Sequence, residues 1–286
     1  MTGPAIVDHL VVRGAPDDAV LRSLGCIIDP ADTDEGAPRL MSWAIRVADA
    51  DAWASDSYAG VGPLAVPADA PLPPDMSEGT RLVSLIVAHP DAARLRDALA
   101  DADLAAPVSV QEADAPRLIA TFDTPAGAQV LTGDGSDLDL LTERQAALDL
   151  FHGTWRYLDR ADRTPAHDAA MVASAEASLW HWRRVGAPTQ WAIGEWQCSR
   201  VQAVLGHGEA ALAHAQRCRE IAEADRVDDF VPASAHEALS RAYAVLGDHD
   251  TARDERNIAY RMAIELDDED RDVLEHDLGT IPIPLA

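Results

Sequence analysis

Arg200-Val201-Gln202-Ala203-Val204-Leu205-Gly206 and Arg241-Ala242-Tyr243-Ala244-Val245-Leu246-Gly247 share one pattern, 41 residues apart. The same shift lays Ala211 on Ala252 and Ala222 on Ala263, so the likeness runs past the glycine and the region is an internal repeat. Helical periodicity around it predicts helices over about 142–159, 166–185, 188–205, 208–224, 231–246, 248–266 and 268–277, stopped by Gly186, Gly206 and Gly247 as C-terminal caps. Ala203, Ala211, Ala244 and Ala252 are small enough for neighbouring helices to approach closely. Val204, Leu205, Val245 and Leu246 are expected to fill the seam between them.

Upstream the period changes. Up to about residue 133, short β-branched runs alternate with short helical patterns. Strands are predicted over 5–12, 39–47, 81–88, 107–111, 117–122 and 129–132, with amphipathic helices over 17–24 and 91–100 and a Pro-rich connector over 62–74. From residue 81 the order is strand, helix, strand, strand, strand. Ala92, Leu95, Ala98 and Leu99 fall at helical spacing and would cover one sheet face, because Val83, Leu85 and Val87 alternate with Leu82, Ser84, Ile86 and Ala88. Such a sheet needs a second one to pack beside. Val7-Asp8-His9-Leu10-Val11-Val12, laid on Val83-Ser84-Leu85-Ile86-Val87, supplies its start. The expected domains are therefore 1–138, α+β, and 140–286, all-α.

Val7-Asp8-His9-Leu10-Val11-Val12, then Ser42-Trp43-Ala44-Ile45-Arg46-Val47-Ala48-Asp49, Arg81-Leu82-Val83-Ser84-Leu85-Ile86-Val87-Ala88-His89-Pro90-Asp91 and Asp123-Thr124-Pro125-Ala126-Gly127 resemble the glyoxalase-like group of the vicinal-oxygen-chelate superfamily. The likeness covers roughly residues 5–133. It implies paired βαβββ-type modules curled around a pocket, where strand residues, usually His, Glu or Gln, hold a divalent metal that polarises vicinal substrate oxygens. By the same resemblance His9 matches a first-strand histidine, Ser84 stands where a second would be, and Gln129 sits near the place of a common glutamate. A dication prefers three or more oxygen or imidazole donors, so His9 and Gln129 make an incomplete set and no metal is expected. The spacer from Cys26 to Arg39 is short for the family and leaves the first module incomplete. In the second half, Leu-Gly followed after four residues by Ala, as in Leu205-Gly206 to Ala211, resembles the inter-helix turn of tetratricopeptide repeats, whose usual length is about 34 residues. That resemblance implies a helical solenoid of three helix pairs, the first degenerate.

The 286 residues, 48% apolar and 25% charged, suffice for two cores of roughly 140 residues each. A balance of 23 basic against 49 acidic residues, net charge −26, repels polyphosphates and anionic lipid, so neither nucleic acid nor a membrane is an expected partner. Every basic residue is arginine, which excludes lysine Schiff bases, pyridoxal anchoring and the phosphate-binding P-loop. Three cysteines, Cys26, Cys198 and Cys218, have no CxxC spacing and suit reduced thiols. With no signal-like start and no long apolar run, the expected compartment is the cytoplasm.

Unusual side chains crowd one stretch: Trp180, His181, Trp182, Trp191, Glu195, Trp196 and Cys198. Such tryptophans form either a bulky core or a binding surface, with each indole N–H needing a partner. Under the 41-residue shift His236-Glu237 falls on Glu195-Trp196, so both pairs either face a groove between repeats or form a polar seam that fixes repeat register. His167 and His181 share a helix face but stand about 21 Å apart, too far for one ion. Zinc would require His181, Glu195 or Cys198, and His236 to converge from three helices, since no HExxH pair occurs. Gly133-Asp134-Gly135-Ser136 reads as a turn, and Asp267-Asp268-Glu269-Asp270 as a helix N-terminus.

The expectation is a binding protein: a degenerate glyoxalase-like domain with a small-molecule pocket, joined to a tetratricopeptide-like domain that recognises a peptide, a protein partner or a second copy in a homo-oligomer. The alternative is a metal-dependent lyase, isomerase or thiol-conjugate enzyme in which His9 and nearby carboxylates act as ligand or general base. A third reading puts the site in the helical half around His181, Trp182 and Glu195.

Overall fold

A computed structural model describes residues 4–13, 21, 24–28, 39–47, 50, 61–73, 75–134 and 136–284. The helix expected over 17–24 lies outside the described residues except for Leu21 and Leu24, as do Ala48, Asp49, Pro74 and Gly135. A β-sheet region comes first and an all-helical region follows, an α+β layout. No helix among the described residues is long and apolar enough to cross a membrane.

The sheet region holds two four-stranded sheets. Strands β1 (Ile6–Arg13), β2 (Ile27–Ile28), β3 (Arg39–Val47) and β4 (Leu64–Pro67) lie in the order β2-β1-β3-β4, and β5 (Arg81–His89), β6 (Val108–Glu112), β7 (Arg117–Asp123) and β8 (Gln129–Thr132) in the order β6-β5-β7-β8. In each, the first strand runs parallel to the second and antiparallel to the third. They part at the last strand: β4 is parallel to β3, whereas β8 is antiparallel to β7. Strand β4 corrects the sequence reading of 62–74 as connector only. Ala44 to Val47 pair with it, and its terminal Pro67 is tolerated because β4 is an edge.

Both central strands bulge at the same place. In β1, Val7 pairs with Ile45 and His9 with Ala44, leaving Asp8 as the extra residue; in β5, Leu82 pairs with Phe122 and Ser84 with Thr121, leaving Val83 extra. This shifts the expected alignment by one residue, so that His9 matches Ser84 and Asp8 matches Val83. It also resets the alternation, because two residues of the bulged strand oppose one of its partner. Leu82, Leu85 and Val87 consequently share one core with Leu10, Val12, Leu40, Trp43 and Ile45 of the first sheet and with Ala92, Leu95 and Leu99 of helix α1 (Ala92–Asp101). Burying Leu95 and Leu99 stabilises this core by about 2 kcal/mol each. Trp43 is fully buried, and its indole N–H donates to the Val61 carbonyl at 2.8 Å. On the other sheet face, Ile86 and Ile119 pack on Ala146 of α2 (Leu140–Leu158). With both faces covered, β5 reads as an almost continuous apolar run.

Helices α3 (Pro165–Val185), α4 (Pro188–Val204), α5 (Gly208–Ala224), α6 (Phe230–Leu246), α7 (His249–Ala263) and α8 (Asp268–Gly279) follow. Two compact units result, residues 1–153 with 160–177 and residues 154–159 with 178–286, the division passing within α2 and α3. In the second unit, α4–α5 and α6–α7 are the two copies of the repeat. Gly206 (φ 79°) and Gly247 (φ 84°) turn each pair through the left-handed region that glycine tolerates. In both turns the glycine N–H reaches back three residues, to Ala203 or Ala244, and the next N–H reaches back five, to Gln202 or Tyr243. Ser199 donates to the Ala211 carbonyl at 2.8 Å and Ser240 to that of Ala252 at 2.7 Å, pinning first helix to second identically in each copy. A further step of 41 carries Ala192 to Ala233 and then to Leu274 of α8, all buried, so α8 stands as a third first-helix.

Two expectations need correction here. Ala203, Ala211 and Ala242 occupy the seam with Leu212 and Val245, while Val204 and Leu246 are exposed, because each follows a seam residue and is turned about 100° around its helix from it. Gly186 ends α3 without entering the left-handed region. A Cβ there would stand 2.6 Å from the Trp182 carbonyl oxygen, so glycine is required for space. At α8, the Asp267 carboxylate accepts from the Asp270 N–H at 2.9 Å, and Asp268, Glu269 and Asp270 fill the first turn, as expected of a helix N-terminus.

Candidate functional site

The bulge at Asp8 builds the most site-like concavity of the first unit. Successive strand side chains ordinarily point to opposite faces. With one residue inserted, Asp8 and His9 both border a cleft of about 330 Å³, and the Asp8 carboxylate meets His9 Nδ1 at 2.7 Å. Val7, Leu10 and Leu24 from the first sheet region and Leu82 and Phe122 from the second give it apolar walls, and Arg46, Leu72 and Asp75 also border it. An apolar hollow with a few convergent polar groups is the usual form of a small-molecule site.

The electrostatics centre on Asp8, which is 4% exposed, and Arg46, 11% exposed, whose Nη2 lies 2.5 Å from Asp8 Oδ1. With Nδ1–H donating to the Asp8 carboxylate, the tautomer that pairs the two, Nε2 of His9 keeps a lone pair as an acceptor. Among the described residues Nε2 has no hydrogen-bond partner. The cleft can therefore receive an apolar molecule that presents an O–H or N–H to His9.

A divalent metal fits these residues poorly. Ser84 is fully buried at the position matching His9, Gln129 is paired into β8 opposite Phe122, and Gln129 is not among the cleft walls. Asp8, His9 and Asp75 share the cleft, yet no group of three His, Cys, Asp or Glu among the described residues is placed to hold a metal ion.

Of the candidates in the helical half, His181, Trp182, Glu195, Trp196 and Glu237 are buried, and Trp180, Trp191 and His236 are half-buried. Trp196 donates its indole N–H to Glu237 Oε2 at 2.8 Å, across one repeat. Glu237 also receives Arg241, through Nε at 2.8 Å and Nη2 at 2.6 Å. Arg200, the counterpart of Arg241 in the previous copy, lies over the rings of Trp155 and Trp196 at 5.2 and 5.8 Å and pairs with Asp277 at 2.8 Å. Two guanidinium and two carboxylate groups thus balance inside the unit. Burial holds the Asp277 carboxyl above its usual range, against the pull of Arg200 and with a further push from Glu237. Glu195 is 2% exposed and is held by Arg183 and by His214 Nδ1, both within 2.7 Å. Burial pushes its carboxyl up, but the hydrogen bonds and charges of His214 and Arg183 outweigh that and leave it lowered. His236 pairs with Glu255 at 2.5 Å. Trp191 donates to the Trp182 carbonyl at 2.9 Å, and Trp180 is edge-on to His181 with Arg184 over its face. Trp196, Arg241 and Glu237 are thus turned inward on one another, and Glu195 on Arg183 and His214, an arrangement suited to holding the register of repeats.

In the first unit His167 is buried at the start of α3. The Thr164 N–H donates to its Nδ1 at 3.0 Å, and its Nε2 faces Asp103 at 3.1 Å, so it serves the helix cap. The Arg160 hydrogen bond, first among its contacts, holds Asp103 below the usual carboxylate range.

Sequence reasoning missed Asp8, Arg46 and Asp75 as cleft residues. The signal for Asp8 is present in Val7-Asp8-His9-Leu10: two adjacent polar residues break the period of two, as a bulge requires. No protein-family model matches this chain, and neither the curated proteins nor the solved structures compared with it include a match.

Proposed function

We propose that this chain is a binding protein whose glyoxalase-like first part captures a small, largely apolar molecule in the Asp8–His9 cleft, and whose tetratricopeptide-like second part serves a peptide or protein partner. One observation carries the reading: an apolar cleft of about 330 Å³ in which a carboxylate orients an imidazole whose other ring nitrogen has no partner among the described residues. Two sheets of matching strand order support the first resemblance, and the 41-residue step of serine, glycine and alanine positions supports the second. The guest is neutral or nearly so, because Arg46 already offsets Asp8 and the chain carries net charge −26.

The test is equilibrium binding of 2-naphthol, an apolar ring with one hydroxyl, read by its fluorescence. Saturable one-to-one binding is expected, weakened about tenfold by His9→Ala, which removes one hydrogen-bond partner, and abolished by Val7→Trp, which fills the cleft. Binding indifferent to both substitutions, or none in the wild type, overturns the proposal.

The Asp8–His9 contact also favours a second reading, His9 as a general base. Bound 4-nitrophenol would then absorb as the phenolate, with its proton on Nε2. Absorption as the neutral phenol sinks this reading and leaves binding alone.

A further inference from the structure

One guanidinium gathers five acceptors beside the cleft. Arg46 Nη1 donates to the carbonyls of Pro67 at 3.0 Å, Ala68 at 3.3 Å and Ala70 at 2.8 Å; Nη2 donates to that of Pro71 at 3.1 Å and pairs with Asp8 at 2.5 Å. The carbonyls belong to residues 67–73, the strap that leaves β4 where its pairing with β3 stops at Pro67. From that point the Arg46 side chain takes the strap carbonyls, since the guanidinium fork offers more donors than any other side chain. The same strap continues into the cleft wall as Leu72 and Pro73. Leu72 is 84% exposed although it borders an apolar hollow, so a guest would cover it.

We propose that Arg46 is a latch: it ties the strap to the Asp8–His9 pair, so that strap position and imidazole orientation are set together and the strap gates the cleft. This rests on the cleft being the binding site. Release of the strap carbonyls frees the guanidinium from its fixed place against Asp8, and loss of Asp8 frees the strap. A guest that hydrogen-bonds to His9 and covers Leu72 favours the latched form, because it contacts both things that Arg46 connects.

The experiment uses the full chain carrying Leu72→Cys labelled with bimane, the native Cys26, Cys198 and Cys218 being buried. Label anisotropy is measured without ligand in the Arg46, Arg46→Met and Arg46→Lys backgrounds, and 2-naphthol dissociation is then followed in unlabelled protein. Arg46→Met is expected to free the label and to speed naphthol release about tenfold, as loss of a few hydrogen bonds implies. Arg46→Lys, which keeps the charge for Asp8 but not the fork, is expected to free the strap with a smaller effect on release, and it decides the matter if the methionine variant does not fold. Unchanged anisotropy in the variants overturns the latch. Unchanged release with a freed label overturns the gate. If naphthol does not bind the wild type, the binding reading falls and the gate with it, while the anisotropy still decides the latch.

Discussion

Glu195 holds the ring of His214 at 2.7 Å, and 41 residues further on His236 holds the carboxylate of Glu255 at 2.5 Å. These are the same two positions of the repeat with acid and imidazole exchanged. The position demands a charge-assisted pair between the first and second helices and is indifferent to which helix carries the acid.

His236→Glu is expected to set two carboxylates face to face and to destabilise the helical unit by about 1–2 kcal/mol, whereas His236→Glu with Glu255→His regains most of that loss. Urea midpoints of the two singles and the double close the cycle. A double variant no more stable than the worse single would show that the exchange is not tolerated.

Glu195 gives the unit an acid limit. Its folded carboxyl lies below the ordinary value, so its contribution is complete above about pH 4.3 and is lost as pH falls through the folded value. The stability difference between wild type and Glu195→Gln should therefore shrink on acidification below that point. A difference that is constant from neutral to acid pH contradicts the assignment.

Glu237 is expected to be the most sensitive residue of the seam. Glu237→Ala leaves Arg241 and the Trp196 N–H buried without their acceptor and should cost about 3–5 kcal/mol. Trp196→Phe removes one donor and leaves Arg241 paired, for about 1–3 kcal/mol. Chemical denaturation of both variants checks the order.

The thiols are expected to be silent in the native protein. Burial pushes Cys26 and Cys218 up to about 12, with Glu195 and Glu237 adding to Cys218, and Cys198 is buried as well. A disulfide reagent at mildly alkaline pH should label three thiols only after denaturant is added. Fast labelling of the folded chain would place one of them at the surface.

Much of the fold was legible because its signals are local. The Leu-Gly stops, the 3.6-residue period and the acidic start of α8 depend on neighbours within a turn or two, and the helix ends fall within a few residues of expectation. Strands β3 and β8 match their expected bounds, since short runs rich in apolar and β-branched residues need no partner to be recognised. Strand β4 escaped because four residues among prolines become a strand only when Arg39–Val47 offers an edge. For the site, only His9 was legible. Asp8 acquires its role from the bulge, and Arg46 acquires its role from a strap more than twenty residues away in sequence.

Taken alone, the amino-acid order determined the change from strands to helices, the 41-residue repeat and the exclusion of lysine chemistry, all properties of spacing and composition. The tertiary structure decided that His236-Glu237 and Glu195-Trp196 form a seam, that both sheets share one core, and that Asp8, His9 and Arg46 meet at one cleft. Those depend on contacts between distant segments, where a single inserted residue turns a side chain from one face of a sheet to the other, and no local pattern specifies which partner it will find there.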